Sequence, residues 1–471
     1  MQIRAFRADA VVMATGGNGL IFGKSTNSVI CTGGAASRCY QAGAWYANPE
    51  MIQVHPTAIP GADKCRLMSE SARGEGGRVW VPRKKGDDRP HQQIPEEDRW
   101  YFLEERYPAY GNLVPRDIAS REIFDVCVNH EMGVAGQNQV YLDLTHKEPE
   151  YLTRKLGAIL DIYEKFVGED PRFNPMRIFP TVHYTMGGLW TQYSKGSYAP
   201  ETPHGDHKPG MVPPVDTQAG RGMALGAPNN MMTNVPGLYA FGEVNFAFHG
   251  ATRLGANALL SCIFDGLFSG VSVYNYANEQ EPASALDASV YDEAVRREQD
   301  KADKLLSGAG IGGTDDERTN PYAIGKELGD EMTAACTVVK SGPRLEQCLR
   351  KLDELADRYA GVRLGDDAAW SNQTLSYTRA LGDMIVLAQA IAKGSILREE
   401  SRGSHYRTDF QDRDDERFLK TTIAQFDPGE SHRCRIAFRD VDTSLVKPRA
   451  RTYGKTESKP EAKKQAAAAA S

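Results

Sequence analysis

Two short apolar runs along the chain have the pattern of buried strands in a parallel sheet. The first lies within residues 7–14 and ends in the glycine turn 15–19, and the second occupies residues 238–243. Uninterrupted apolar runs that stop at glycine turns are typical of strands covered on both faces, and nucleotide-binding strands end in this way. The pattern therefore predicts an α/β fold, in which the first strand stands almost at the start of the chain and needs neighbours on both sides.

Helical periodicity dominates the second half of the chain. Residues 255–277 have apolar side chains at the 3.6-residue period and are predicted to form an amphipathic helix. The residues that carry this period are Leu259, Leu260, Ile263, Phe264, Leu267 and Phe268. Further helices are expected at residues 287–306, 325–358 with a break at Gly342-Pro343, and 371–394, which predicts a bundle-like helical domain.

Composition and charge exclude several classes of function. Of the 471 residues, 41% are hydrophobic and 25% are charged, and the net charge is −6, so nucleic-acid binding is disfavoured. The sequence lacks a run of about 18 apolar residues, and no membrane-spanning segment is therefore expected. The eight cysteines form neither a Cys-x-x-Cys pair nor zinc-like spacings with histidine. No metal site is therefore expected in this chain. If electrons leave the protein one at a time, the iron–sulfur centres that accept them must lie on another chain.

Two short stretches contain candidate chemistry that spacing alone leaves open. Glu70 and Arg73 are three residues apart and share one face of a helical turn, where they form either a proton relay or an ordinary surface ion pair. Spacing alone favours the surface pair. The formal Gly-x-Gly-x-x-Gly match at residues 308–313 follows a polar helix instead of a strand, so we interpret it as an interhelical loop.

Arginines and histidines near glycine or proline turns suggest a site for a dianion. Arg116 follows Pro115, His183 precedes a Gly-Gly turn, and Arg253 precedes the helix that begins near residue 255. Together with His55, these side chains have the chemistry to hold a dicarboxylate, because arginine forks match carboxylates with two parallel hydrogen bonds. From this chemistry alone, Glu70 or His183 is the expected base, since arginine is normally locked in its charged form.

The order of these motifs along the chain resembles the flavoprotein subunits of succinate dehydrogenase and fumarate reductase. The resemblance extends from residue 8 to about 440, and the stretches 107–117 and 164–168 are most similar to the menaquinone-linked type of Gram-positive bacteria. The motifs that carry it are Ala14-Thr15-Gly16-Gly17, Gln53-Val54-His55-Pro56-Thr57, residues 69–77, Pro115-Arg116-Asp117, residues 183–188, 237–243 and 249–259, and residues 400–415.

The resemblance implies a mechanism and the residues that perform it. Succinate passes a hydride to FAD and loses a proton from the neighbouring carbon. Arg116 is implied as the proton-transferring residue, with Glu70 and Arg73 as a proton relay. One substrate carboxylate is assigned to His183 and Arg253, and the other to His55 and Ser69. The residues expected to contact FAD are Ala14, Thr15, Gly16, Gly17, Glu243, Asn257 and Leu259.

The resemblance also implies an architecture, namely an incomplete, discontinuous Rossmann-like FAD-binding domain with an α+β capping domain, a helical domain and a small C-terminal domain. Family members begin with a strand, a glycine-rich turn and a helix that cradle the FAD pyrophosphate, and these lie upstream of the strand at residues 7–14. We therefore expect that this chain alone binds FAD poorly. The expected domains are a partial FAD-binding domain (1–57), a capping domain (58–182), the return of the FAD-binding domain (183–277), a helical domain (278–395), a C-terminal domain (396–446) and a disordered tail (447–471).

Partners and location follow from the same resemblance. Electrons are expected to pass from succinate through an iron–sulfur subunit to a cytochrome b membrane anchor and quinone. The chain would then lie peripherally on the cytoplasmic face of the cell membrane. The alternatives are another enzyme of the superfamily, such as L-aspartate oxidase, and a truncated non-catalytic fragment. Residues 194–223 look like an insertion without an assigned role.

Overall fold

The computed structural model describes residues 2–196, 222–307, 317–368 and 370–449, and the chain forms two compact units. Unit 1 comprises residues up to Gly23, Asn27–Gln53 and Tyr184–Leu445, and unit 2 comprises Lys24–Thr26, Val54–His183 and the described residues after 445.

The strands are β1 (Val11–Met13), β2 (Tyr46–Ala47), β3 (Ile52–Ile59), β4 (Arg66–Leu67), β5 (Arg78–Pro82), β6 (Arg99–Trp100), β7 (Val140–Asp143), β8 (Met176–Thr185), β9 (Gly188–Leu189), β10 (Leu238–Ala240), β11 (Lys420–Phe426) and β12 (Cys434–Asp440). The α-helices are α1 (Gly34–Gln41), α2 (Ser71–Gly74), α3 (Phe102–Arg106), α4 (Arg116–Phe124), α5 (Pro149–Val167), α6 (Asn257–Phe264), α7 (Gly270–Glu279), α8 (Ala288–Leu306), α9 (Pro321–Cys336), α10 (Gly342–Ala360), α11 (Gln373–Leu397) and α12 (Asp415–Phe418).

Three stretches named in the sequence analysis lie largely or wholly outside the described residues. They are the apparent insertion at 194–223, the glycine-rich match at 308–313 and the tail at 447–471.

The two apolar runs that were predicted as strands are parallel neighbours in unit 1. Strand β1 pairs with β10, with Val11 opposite Leu238 and Met13 opposite Ala240. The prediction of a buried strand is wrong for the first run, because Val11 and Val12 are 47% and 40% exposed. Within the described ranges β10 is the one strand that pairs with β1, so the other edge of β1 is left uncovered.

The amphipathic helix predicted at residues 255–277 is present as α6 and α7, joined by a π-helical turn at Asp265–Ser269. Much of its apolar face is exposed, including Leu259, Leu260, Ile263 and Leu267.

Among the described residues, Asn257–Ala285 and α11 have the length and apolar composition of a membrane span. In an apolar window of 18 residues, 22% of the first stretch is buried, against 72% of α11, which forms part of the protein core. Length and composition alone do not contradict the expectation that no segment crosses a membrane, which stays a prediction. Core helices of soluble proteins meet the same criterion, so these two stretches do not assign a membrane span.

The helical part of unit 1 follows the predicted pattern closely. Helices α8 and α11 begin and end within three residues of the predictions. The stretch predicted at 325–358 forms two helices, α9 and α10, separated by residues 337–341. The predicted break at Gly342-Pro343 is instead the start of α10, because proline needs no hydrogen-bond donor in the first turn of a helix. Leucines on these helices are buried, among them Leu328, Leu345, Leu352, Leu381 and Leu387.

A small antiparallel sheet connects the end of the chain to its beginning within unit 1. Strands β11 and β12 form an antiparallel hairpin, with Lys420 opposite Asp440. Strand β11 also pairs with β2, and β2 pairs with β9, which gives the order β12-β11-β2-β9.

The chain enters unit 2 along β3 and leaves it along β8. The sheet to which these strands belong has the order β4-β3-β8-β7-β5-β6 in the described part of the chain. Apolar side chains of the sheet and of α3, α4 and α5 form one buried core, whose members include Ile59, Val79, Phe102, Ile123, Leu142, Leu156 and Ile178. This core fixes the position of the loops that carry the polar residues described next.

Candidate active site

In unit 2, one carboxylate is shared between two arginines. The Oε1 atom of Glu70 accepts a hydrogen bond of 2.8 Å from Nη2 of Arg73. Its Oε2 atom accepts hydrogen bonds from Nη2 and Nε of Arg116 at 2.9 and 3.2 Å. Two guanidinium groups and one carboxylate leave one positive charge in excess, which favours an anionic ligand.

The backbone around this cluster explains its geometry. Arg73 lies in the short helix α2, and its Nη1 atom donates to the carbonyls of Asn112 and Val114 at 2.7 and 3.1 Å. These carbonyls stand just before Pro115, which caps α4, and Arg116 is the first residue of that helix. Arg73 therefore holds the loop that presents Arg116.

The Glu70–Arg73 pair is not the exposed surface ion pair that spacing alone favours. The side chain of Arg73 is 1% exposed and that of Glu70 is 37% exposed. Burial lowers the pKa of the Arg73 guanidinium, and the nearby positive charge of Arg116 lowers it further, while Glu70 acts in the opposite direction. A buried guanidinium that shares its carboxylate with a second one releases a proton more easily than an exposed arginine does.

Two histidines of unit 2 lie against each other. The rings of His55 and His183 have centroids 5.0 Å apart and meet edge to face. Nδ1 of His183 is 2.7 Å from the hydroxyl of Thr26. The hydroxyl of Thr57 donates to the carbonyl of Met68 at 2.7 Å, and the amide of Thr57 donates to Nδ1 of His55 at 3.3 Å. Nδ1 of His55 also lies 3.1 Å from the Thr57 hydroxyl, so Thr57 fixes the orientation of the His55 ring.

Ser69, the remaining predicted substrate residue of unit 2, precedes the shared carboxylate in the chain. Its hydroxyl donates to the hydroxyl of Ser71 at 3.2 Å and also accepts from the amide of Ser71 at 3.2 Å. Ser69 thus helps to fix the turn that leads into α2.

In unit 1, the turn after β1 and the turn after β10 meet at a carboxylate. Oε1 of Glu243 accepts hydrogen bonds from the amide and hydroxyl of Thr185 at 3.0 and 3.3 Å. A Cβ atom on Gly17 would lie 2.7 Å from Cδ of Glu243 and 2.8 Å from Oγ1 of Thr185. Gly17 is therefore required for this close approach, and Gly16 adopts a positive φ of 73° in the same turn.

This edge of the β1–β10 pair fits a dinucleotide such as FAD. Because β1 and β10 are parallel, the turn at Ala14–Gly17 and Glu243 both follow the carboxyl ends of their strands. In open α/β sheets, nucleotides bind outside these ends, where glycine turns admit the pyrophosphate and a carboxylate binds a ribose hydroxyl. Burial raises the pKa of Glu243, as expected for a carboxyl group enclosed beside the turn.

The predicted FAD residues Asn257 and Leu259 lie in the first turn of α6, where Asn257 is half-buried like Glu243. Ala256, which caps α6, has a positive φ of 64°. Leu259 is 76% exposed. The end of α6 is joined to the turn after β10 through Asp265, whose Oδ2 accepts from the backbone amide of Gly242 at 2.7 Å.

Arg253, also in unit 1, is buried and held at both its backbone and its side chain. The side-chain amide Nε2 of Gln53 donates to the backbone carbonyl of Arg253 at 2.7 Å. The guanidinium of Arg253 stands over the ring of Tyr184 with its Cζ atom 4.7 Å from the centroid. Burial, and then the charge of Arg253, lower the pKa of neighbouring His249 to about 4, so that this ring is neutral at physiological pH.

Several positioning residues were missed by sequence reasoning. Thr26, Thr57 and Asn112 in unit 2, and Gln53 and Tyr184 in unit 1, bind or pack against predicted site residues. Except for Thr57, which is two residues from His55, their partners are distant in sequence, and no spacing signal exists for such contacts. Among the described residues, no group of three or more His, Cys, Asp or Glu side chains is placed to hold a metal ion.

Comparisons with known proteins identify the family. A model described as FAD binding domain matches residues 1–205, and one described as fumarate reductase flavoprotein C-term matches residues 325–453. A Bacillus subtilis succinate dehydrogenase flavoprotein subunit is 48% identical, over 97% of this chain and 68% of its own length. A Serratia fumarate reductase flavoprotein subunit is 31% identical, over 95% of this chain and 67% of its own length.

A solved structure supports the same assignment. The Escherichia coli quinol fumarate reductase matches with a TM-score of 0.75 and 27% identity, over 94% of this chain and 67% of that chain. The chain thus spans about two thirds of the length of these relatives. The alternative of L-aspartate oxidase and that of a non-catalytic fragment are not favoured. Sequence, fold and site together make this chain a member of the family of flavoprotein subunits of succinate dehydrogenase and fumarate reductase, which are FAD-dependent oxidoreductases.

Proposed function

We propose that this chain oxidises succinate to fumarate, reversibly, with Arg116 as the group that takes the substrate proton. The observation that carries the proposal is the carboxylate of Glu70 shared between Arg73 and Arg116. When bound, FAD supplies the acceptor for the hydride that leaves succinate. The second hydrogen leaves as a proton, which must be taken up by a side chain of the protein.

The hydrogen bonds of the cluster support a proton path from Arg116 through Glu70 to Arg73. The two bonds to Glu70 are 2.9 and 2.8 Å long, which suits transfer along a chain of charge-assisted hydrogen bonds. An arginine at the end of this path can exchange a proton only if the loss of its charge is made less costly. Burial beside a second guanidinium lowers the pKa of Arg73 and so has this effect.

The charges of the same cluster support a dicarboxylate as substrate. The cluster of Glu70, Arg73 and Arg116 has two guanidinium groups and one carboxylate, which favours an anion, and the His55 ring offers a nitrogen for a hydrogen bond. His183 lies against the ring of His55 and completes the pair of histidines. In the proposal His183 and Arg253 bind one carboxylate, and His55 and Ser69 bind the other.

Glu70 is a second candidate for the base. Its side chain is 37% exposed, and a carboxylate is a more ordinary proton acceptor than a guanidinium. The two assignments differ in what Arg116→Lys does. Lysine can still exchange a proton, so an arginine base predicts residual turnover in Arg116→Lys and none in Arg116→Ala. A Glu70 base predicts similar turnover in both variants.

Succinate-dependent bleaching of the flavin in the native complex tests the proposed reaction directly. Anaerobic addition of succinate should bleach the flavin absorbance, and fumarate should restore it. L-aspartate, a matched substrate that differs by an amino group, should leave the absorbance unchanged. Bleaching by L-aspartate but not by succinate would contradict the proposal.

We also propose partners and a location from the relatives, which are named as subunits of larger enzymes. Electrons would leave through an iron–sulfur subunit to a cytochrome b membrane anchor and a quinone. The chain would lie peripherally on the cytoplasmic face of the cell membrane. Affinity purification from native membranes tests this: non-haem iron and haem should co-purify with the chain, and a chain purified without them would contradict it.

A further inference from the structure

Ala251, two positions before Arg253, packs against a tight turn of unit 1 that is formed by residues 402–405. The amide of Ser404 donates to the carbonyl of Ala251 at 2.9 Å. Gly403 has a positive φ of 58°, and a Cβ atom added there would lie 2.5 Å from the carbonyl oxygen and 3.0 Å from Cβ of Ala251. The backbone of Gly403 therefore packs so closely on Ala251 that no side chain fits between them.

The turn that carries Gly403 is held by its own backbone and by a buried carboxylate. Arg402 and His405 exchange backbone hydrogen bonds of 2.7 and 3.0 Å across it. The guanidinium of Arg402 forms two hydrogen bonds to Glu400, at 2.7 and 2.9 Å, and the Glu400 side chain is fully buried. Arg398 donates a further hydrogen bond of 2.9 Å to the same carboxylate. A bidentate pair of this kind fixes orientation as well as distance.

His405 anchors the turn more deeply. Its Nε2 atom is 3.1 Å from the carbonyl of Arg398, to which it donates, so Nδ1 accepts from the ammonium of Lys340 at 3.1 Å. Lys340 also donates to the carbonyl of Glu50 at 2.8 Å. The turn is thereby bound to parts of unit 1 that do not depend on a ligand.

The residues on the other side of Arg253 are fixed as well. Gln53, three positions after Glu50, holds the carbonyl of Arg253. Tyr184 packs against the guanidinium, and Tyr184 and Ala251 belong to one small apolar cluster with Met51. Ala251 is thus the point at which the 402–405 turn can influence where the arginine side chain lies.

We propose that Gly403, with the amide of Ser404, is a positioning element that sets Arg253 for carboxylate binding. The inference rests on the proposed function, because Arg253 is there given one carboxylate of the substrate. Gly403 acts through the backbone of Ala251 and does not touch the substrate. Displacement of that backbone by a side chain at 403 would move Arg253 away from its place.

The test compares Gly403→Ala with Gly86→Ala in the native complex. Gly86 also has a positive φ, of 69°, but nothing lies within 4 Å of an added Cβ, so Gly86→Ala introduces the backbone strain without the displacement. The probe is malonate, a non-reacting dicarboxylate, with binding followed through the flavin absorbance. Gly403→Ala should raise the malonate dissociation constant and the KM for succinate by about tenfold or more, with kcat much less affected. Gly86→Ala should leave all three unchanged.

A double-mutant cycle with Arg253→Met separates positioning from general damage. If Gly403 acts through Arg253, adding Gly403→Ala to Arg253→Met should weaken malonate binding by less than about twofold. If the malonate dissociation constant of the double variant instead rose by the product of the two single-variant factors, the proposal would be overturned. If Gly403→Ala does not fold, Ala251→Gly takes its place in the cycle, because this substitution loosens the same contact from the other side. Its effect on malonate binding is then compared in the presence and absence of Arg253→Met, with the same expected and contradicting results.

The wild-type complex keeps the two proposals distinguishable. A wild-type complex that neither binds malonate nor oxidises succinate would contradict the proposed function itself. A wild-type complex that does both, with Gly403→Ala indistinguishable from it, would overturn only the role of Gly403.

Discussion

At the scale of single residues, the two oxygens of Glu70 each serve a different arginine, and a change that alters one oxygen tests this arrangement. Glu70→Gln keeps the size of the side chain but replaces one acceptor by an amide donor, which would face a guanidinium. We expect kcat for succinate oxidation to fall by about 10²–10⁴-fold, because the proton path is interrupted, while KM changes little. Steady-state kinetics of the native complex measure both constants.

The matched control for this variant is Glu164→Gln, which removes the charge of a carboxylate on α5 whose side chain is 49% exposed. It should leave kcat and KM unchanged. If Glu70→Gln retained the turnover of the wild type, Glu70 would not lie on the proton path, and a base elsewhere would be required.

A second residue-scale prediction concerns Gly17, whose lack of a side chain allows the turn after β1 to approach Glu243 and Thr185 closely. Gly17→Ala would place a methyl group against the carboxyl group of Glu243 and the hydroxyl of Thr185. We expect the flavin content of the purified complex to fall severalfold, because the turn that faces the nucleotide would be displaced. The flavin absorbance per mole of protein measures this content.

Gly270→Ala is the control for Gly17→Ala, since Gly270 lies in a helix and nothing lies within 4 Å of an added Cβ. It should retain the flavin. A Gly17→Ala complex with full flavin content would mean that the β1 turn does not approach the cofactor.

At the scale of elements, hydrophobic periodicity predicted the long helices well and the short strands poorly. Helices α8 and α11 each repeat their pattern over many residues, so the period is well defined. Strand β1 is three residues long, and its exposure depends on neighbours that its own sequence does not describe. The start of α10 was mistaken for a break because Gly342-Pro343 is compatible with either end of a helix.

The candidate site was predictable to the same extent, and for the same reason. The Glu70–Arg73 pair follows from the spacing of one helical turn. The contact of Glu70 with Arg116 depends on the loop before α4, and the contact of His55 with His183 depends on where β3 and β8 lie in their sheet. Motif order supplied these residues through the family resemblance, whereas spacing alone did not.

The 402–405 turn makes a prediction about acid stability. Burial, with the charge of Lys340, keeps the pKa of His405 well below its usual value, so the folded protein holds this ring neutral. As the pH falls below about 6.5, the unfolded chain binds a proton at His405 that the folded chain does not. His405 should therefore reduce the free energy of unfolding as the pH falls, by up to about 1.4 kcal/mol per pH unit, and contribute no pH dependence above pH 7.

The variant His405→Gln isolates this contribution, because glutamine retains a donor and an acceptor but does not titrate. Denaturant unfolding at pH 7, 6 and 5 gives the free energies. The difference between wild type and variant should change with pH below about 6.5, because residue 405 titrates only in the wild type. A constant difference across this range would show that His405 is not held neutral by the fold.

At the scale of the whole molecule, unit 1 carries an exposed apolar surface along α6 and α7. Ile263 and Leu267 are 57% and 64% exposed, and they follow Leu259 and Leu260 on the same helical stretch. Contiguous apolar surface of this kind binds other apolar groups, whereas single exposed apolar residues are common and inert. We expect the isolated chain to bind a hydrophobic fluorescent dye and to self-associate at this surface.

The double variant Ile263→Glu/Leu267→Glu should greatly reduce the dye fluorescence and the apparent size in sedimentation, because two charges then interrupt the apolar face. Val290→Glu is the matched control: Val290 is 56% exposed on α8, and its replacement should change neither measurement. Equal effects of the two substitutions would mean that self-association depends on net charge and not on this surface. Dye binding that persists in the double variant would place the apolar surface elsewhere in the molecule.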